Sequence, residues 1–98
     1  MFGKLKNLYE LQKQAKALKE KLKQIKLSAE TAGGFLKIEM NGEQKVTKVE
    51  VAPQFATLSP EKMAYDIEDV FNRLLQKVQK ASAEQMKSLG GSLGLPGF

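Results

Sequence analysis

The sequence predicts a single-domain α+β protein with the element order α-β-β-β-α, and three observations carry that expectation. Apolar residues at both ends of the chain recur at the alternating three and four spacing of a helix, whereas the middle alternates apolar and polar residues with a period of two. A chain of 98 residues is also long enough for one hydrophobic core and too short for a second.

The first helix is expected from about residue 4 to 26. Leu8, Leu11, Ala15, Leu18, Leu22 and Ile25 form the a/d seam of a coiled coil, no Gly or Pro intervenes, and Leu, Lys, Gln, Glu and Ala are strong helix formers. Residues 35–40 and 46–51 then read as antiparallel strands joined at Asn41-Gly42, a pair that suits a type I′ turn, with Glu43 to Lys45 available to lengthen the loop. Leu36, Ile38 and Met40 share one face, which Thr47, Val49 and Val51 are expected to join. Residues 28–32, ahead of Gly33-Gly34, supply a further strand.

Pro53 has no N–H to give a ladder and should end the last strand. Ser59-Pro60-Glu61 places an N-cap, a first-turn proline and an acid where a helix begins. Ala64, Ile67, Phe71, Leu74, Val78 and Ala81 repeat the helical spacing, broadened by Val70, Leu75 and Met86, with Phe35, Phe55 and Phe71 expected in the core. Gly90-Gly91 should stop this helix near Leu89, giving a domain over residues 1–89 and a mobile glycine-rich tail over 90–98.

Composition narrows the function. With no Cys, His or Trp, the chain lacks thiol nucleophiles, disulfides, imidazole or thiolate metal ligands and the commonest general base. The acids Asp66, Glu68 and Asp69 lie near the start of a helix, where they complement its dipole, and form no convergent acid/base pair. Neither glycine pair has the spacing of a phosphate-cradling loop. The expectation is a protein that is not an enzyme and has no catalytic residues, metal, cofactor or small-molecule substrate. No apolar run is long enough for a secretory core or a membrane span, so a soluble cytoplasmic protein is expected.

The net charge of +5 is unevenly placed: residues 1 to 27 hold eight lysines and two acids, and the remaining residues are close to neutral. Lys16, Lys19, Lys23 and Lys26 fall on one face of the first helix, while Lys6, Lys13 and Lys21 extend the charge around its exposed side. Only Glu10 and Glu20 accompany them, so neighbouring lysines repel one another unless an anion is present. These seven lysines are the candidate contacts to an anionic partner with a row of phosphates. Base reading is poorly supported, because Arg73 is the only arginine and Gln12, Gln14 and Gln24 are ordinary helix residues. Lys77, Lys80 and Lys87 form a secondary basic set.

A second helix of about 45 Å must project from a domain whose compact radius of gyration is roughly 13 Å. A small sheet covered by one helix leaves apolar surface open, and a homodimer is the expected remedy. The other reading is a coiled-coil adaptor for a partner protein, its lysines serving solubility.

In their order, Leu11-Gln12-Lys13-Gln14-Ala15, Glu30-Thr31-Ala32-Gly33-Gly34, Lys37 to Gly42, Val46 to Val51 and the tail Gly94-Leu95-Pro96-Gly97 resemble the YbaB/EbfC family of bacterial nucleoid-associated proteins. The resemblance covers essentially the whole chain. It implies an α-β-β-β-α protomer, a tweezer-like homodimer and DNA binding in the nucleoid without a catalytic step.

Overall fold

A computed structural model describes the backbone of residues 2–93 and the side chains of residues 7–88. Helix α1 (Phe2–Gln24) leads into strands β1 (Lys26–Glu30), β2 (Leu36–Asn41) and β3 (Val46–Val51), and a 3-10 turn over Pro53–Thr57 connects these to helix α2 (Pro60–Leu93). The α+β class and the element order are as the sequence predicts. The sheet is antiparallel in the order β1-β2-β3.

Strand alternation builds the core. Ala29 of β1 lies opposite Ile38 of β2, and these residues, with Leu36 and Met40, are buried beneath Val70, Leu74 and Val78 of α2. Phe55, from the 3-10 turn, closes the cluster. Burying a side chain the size of Leu74 contributes about 1.5–3 kcal/mol. The start of α2 has the expected cap: the Lys62 N–H donates to Ser59 Oγ at 3.2 Å, and Pro60 occupies the first helical position.

Five local expectations are corrected. First, α1 stops at Gln24, so Ile25 and Lys26 leave the helical seam; Lys26 opens β1 opposite Asn41, because ladder pairing outweighs one further helical turn. Second, the hairpin is not a type I′ turn at Asn41-Gly42. Asn41 and Lys45 close a three-residue loop in which Gln44, at φ 65°, takes the left-handed position. The buried Asn41 carboxamide organises that loop by accepting the N–H groups of Glu43 and Lys45.

Third, Thr47 leaves the core face. The register slips between Glu39 and Met40, Thr47 is the extra residue of a β-bulge, and its hydroxyl donates to Glu39 Oε2 at 2.7 Å. Fourth, α2 continues through Gly90-Gly91 to Leu93, a local cost of about 1 kcal/mol per glycine that the helix absorbs. Residues 94–98 of the expected tail lie outside the described residues. Fifth, Phe71 is 38% exposed and belongs to a second stripe of α2.

That second stripe follows from where α2 lies. Its buried row is Asp66, Val70, Leu74, Val78 and Ser82, each four residues from the next. On one flank, Arg73 Nη2 donates to Glu30 O at 2.8 Å and Lys77 Nζ to Ser28 O at 3.2 Å. Thr31 N–H bonds Leu36 O, so the odd-numbered residues of β1 face β2 and the carbonyls of Ser28 and Glu30 point outward. Arg73 and Lys77 therefore close the β1 edge. At 100° per residue, Ala64, Ile67 and Phe71 occupy the opposite flank of α2, above β3. Val49 and Val51 share the core face with their partners Ile38 and Leu36, yet they are 54% and 56% exposed. Half of the sheet is uncovered.

The chain measures 65 × 21 × 17 Å with a radius of gyration of 18.6 Å. It exposes 7298 Å², against roughly 5600 Å² expected of a compact monomer of this mass.

Candidate nucleic-acid interface

The basic ridge is built on α1. Leu18 and Leu22 are half-buried against the rest of the protein, and Gln14 turns its carbonyl inward on the same side. Lys13, Lys16 and Lys23 occupy the opposite arc, and Lys19 lies one turn from both Lys16 and Lys23. All four are exposed, as is Lys21 on the flank. From Lys13 to Lys23 the ridge runs about 15 Å, the length of four to five nucleotide steps at 3.4 Å. Lys26 is exposed too, but it sits on β1 and follows the helical ridge instead of completing it. The Lys6 side chain lies outside the described residues.

Three of the four ion pairs among the described residues lie off α1. Lys48 pairs with Glu50 at 2.9 Å, Lys62 with Asp66 at 2.9 Å, and Arg73 with Asp69 at 3.1 Å. The hydrogen bond and then the charge of Glu50 raise Lys48 above the ordinary lysine range, and the same two effects from Lys48 hold Glu50 below the ordinary carboxylate range. Lys62 is likewise raised by its hydrogen bond to Asp66 and by that carboxylate's charge. On α1 the described residues form one ion pair, Lys23 with Glu20 at 3.6 Å, exposed on both sides and worth little. Lys13, Lys16, Lys19, Lys21 and Lys26 make none among the described residues. A row of unneutralised ammonium groups on a stiff helix is suited to a polyanion.

Gln14 faces inward, so of the three glutamines considered for base edges only Gln12 and Gln24 are exposed. Of the secondary basic set, Lys77 is engaged with the β1 edge, while Lys80 and Lys87 remain exposed. Tyr65 is exposed, with the Lys62 ammonium 5.2 Å from its ring centroid. Among the described residues no cluster of three or more His, Cys, Asp or Glu could hold a metal ion, and no helix is long and apolar enough to cross a membrane.

Two features escaped the reading of the sequence. The exposed flank of Ile67 and Phe71 looks like core by periodicity alone, and the buried row ending in Ser82 was detectable only as an unbroken four-residue repeat from Asp66.

A three-stranded antiparallel sheet backed by one long helix, with a second helix carrying a basic ridge, defines a small α+β protein. The profile of the YbaB/EbfC DNA-binding family matches residues 1–93, and the chain belongs to that family. It is 38% identical over 77 residues to the nucleoid-associated protein MCA1327 of Methylococcus capsulatus, covering 79% of this chain and 72% of that protein. A nucleoid-associated protein of Anaeromyxobacter dehalogenans is 34% identical over 96 residues, covering 90% of this chain and 93% of its relative. The crystal structure of the uncharacterized protein HP0035 from Helicobacter pylori shares the fold, with a TM-score of 0.62 at 21% identity, covering 88% of this chain and 96% of that one.

Proposed function

We propose that this protein is a nucleoid-associated homodimer that binds duplex DNA through the α1 ridge, largely without regard to sequence, and thereby compacts DNA or alters its expression. The observation that carries the reading is the clustering of charge: Lys13, Lys16, Lys19 and Lys21 stand exposed on one short stretch of α1 and make no ion pair among the described residues, and Lys23 beside them makes only an exposed pair with Glu20. Each neutralised phosphate releases condensed counterion, so contacts accumulate into affinity. Lysine ammoniums are point charges and select no base, which makes backbone contact and duplex shape the basis of recognition. The nucleoid-associated names of the relatives support DNA as the partner and the nucleoid as the place.

A second copy of the chain accounts for the open half of the sheet. With the β1 edge closed by Arg73 and Lys77, β3 is the edge left free among the described strands, and Val49, Val51, Ile67 and Phe71 form an apolar surface beside it. Two β3 edges pairing about a two-fold axis bury that surface once on each side and close the assembly at two. The surface exposed beyond that of a compact monomer is of the size a stable dimer buries. The dimer then carries two copies of the ridge.

Electrophoretic mobility shift with duplexes of unrelated sequence tests the reading. Comparable affinities that weaken steeply with salt are expected, and indifference to DNA in dilute buffer would refute it.

A further inference from the structure

At its C-terminal end α1 enters a junction of three elements. Leu22 lies in the last turn of α1, where carbonyls have no partner within the helix. Its carbonyl accepts the N–H of Gly42 in the β2-β3 hairpin at 2.8 Å, and also that of Ile25 at 3.2 Å. The carbonyl of Gly42 in turn accepts the hydroxyl of Ser82, on α2, at 2.8 Å. Ser82 is buried at the end of the apolar row of α2, and its hydroxyl reaches across to the hairpin, whereas a helical serine commonly bonds back to its own helix.

Gly42 is required here by space. Its φ is not positive, so the hairpin does not need glycine for its backbone. A Cβ at this position, however, would lie 2.5 Å from Leu22 O and 3.0 Å from Leu22 Cα, both backbone atoms that yield only if α1 itself moves. Outward from this contact, Leu18 is half-buried, whereas Leu11 and Leu8 are about half exposed. The helix is held at its base and stands free toward its start, as a lever does.

We propose that Gly42 and Ser82 are positioning residues whose hydrogen-bonded junction with Leu22 sets the angle at which α1 leaves the sheet, and with it the spacing of the two basic arms. The proposal rests on the reading of α1 as the DNA-binding arm. From Leu22 to Asn7 the lever is about 22 Å long, so a tilt of about 10–20° at the junction carries its outer end roughly 4–8 Å. At Lys13, the outer end of the ridge, the same tilt amounts to roughly 2–5 Å, comparable with one nucleotide step of 3.4 Å and enough to disturb its register with a phosphate row.

The test is the distance between spin labels at Gln12→Cys and Glu84→Cys, in a chain with no cysteine of its own, diluted with unlabelled protein so that each assembly carries one labelled copy. In the parent protein one narrow distance is expected. Gly42→Ala should displace it by roughly 3–5 Å, the label lying about 15 Å from the junction, and Ser82→Ala should broaden it, each with about a tenfold loss of affinity for duplex DNA. Should Gly42→Ala fail to fold, Ser82→Ala and its circular dichroism carry the test. An unchanged label distance and width in folded Ser82→Ala protein overturns the proposal. The distances are measured without DNA, so a parent protein that ignores DNA refutes the proposed function while the junction is judged on its own.

Discussion

Removing the ridge changes the salt dependence of DNA binding by an amount the structure sets. If the ridge lysines Lys13, Lys16, Lys19 and Lys23 each meet a phosphate in both protomers, the slope of log K against log salt is about −7, at roughly 0.9 per contact. A rise from 50 to 200 mM salt then weakens binding about 10⁴-fold. Replacing Lys16, Lys19 and Lys23 by Gln leaves the Lys13 pair, so the slope falls to about −2 and the same change of salt costs only about tenfold. The three side chains are exposed and Gln is nearly as good a helix former as Lys, so the fold is retained. Fluorescence anisotropy of a labelled duplex at five or six salt concentrations measures both slopes. A triple variant with the parent slope would show that the phosphates lie elsewhere on the protein and refute the assignment to α1.

Other perturbations separate assembly, core and charge. Phe71→Asp places a carboxylate on the open flank of α2 and should convert the proposed dimer to a 10.9 kDa monomer in light scattering while retaining the circular dichroism of the parent. Leu74→Ala, at a fully buried position, should lower unfolding stability in urea by about 2–5 kcal/mol, and Ser59→Ala should lower it by about 0.5–2 kcal/mol through loss of the cap on α2. Stability should be flat from about pH 5 to 7, because no side chain ordinarily titrates there in a chain without His or Cys. Glu50, held below the ordinary carboxylate range, contributes stability above its unfolded pKa and loses it as pH falls through the lowered folded value. Lys48 and Lys62, both raised, contribute below the ordinary lysine pKa and lose that contribution as pH rises through their folded values. Thermal unfolding across pH 3 to 11 measures both limbs.

The elements legible in the sequence are those whose pattern has one physical reading. Residues 36–41 and 46–51 alternate and pair as strands, and the Ser59-Pro60 start of α2 follows from local chemistry alone. Where two readings compete, tertiary contacts decide. Ile25 and Lys26 continue the helical period, yet pairing with β2 draws Lys26 into β1. Gly42 fits a turn by residue type, although its place depends on α1 packing against it, a contact twenty residues distant in sequence. Phe71 has the spacing of core, but α2 sits toward β1 and leaves that flank above the uncovered β3. The basic ridge was legible because charge is counted directly, and all of its lysines with described side chains are exposed. That Lys77 is engaged at a strand edge instead was not, since backbone carbonyls leave no mark in a sequence.

Amide chemical shifts followed while a twenty-base-pair duplex is added in low salt test most directly whether α1 is where DNA is gripped. Residues 13 to 26 should shift together and saturate at one duplex per dimer, with the acidic start of α2 unmoved. Shifts confined to α2 or to the sheet, with residues 13 to 26 silent, would contradict the account.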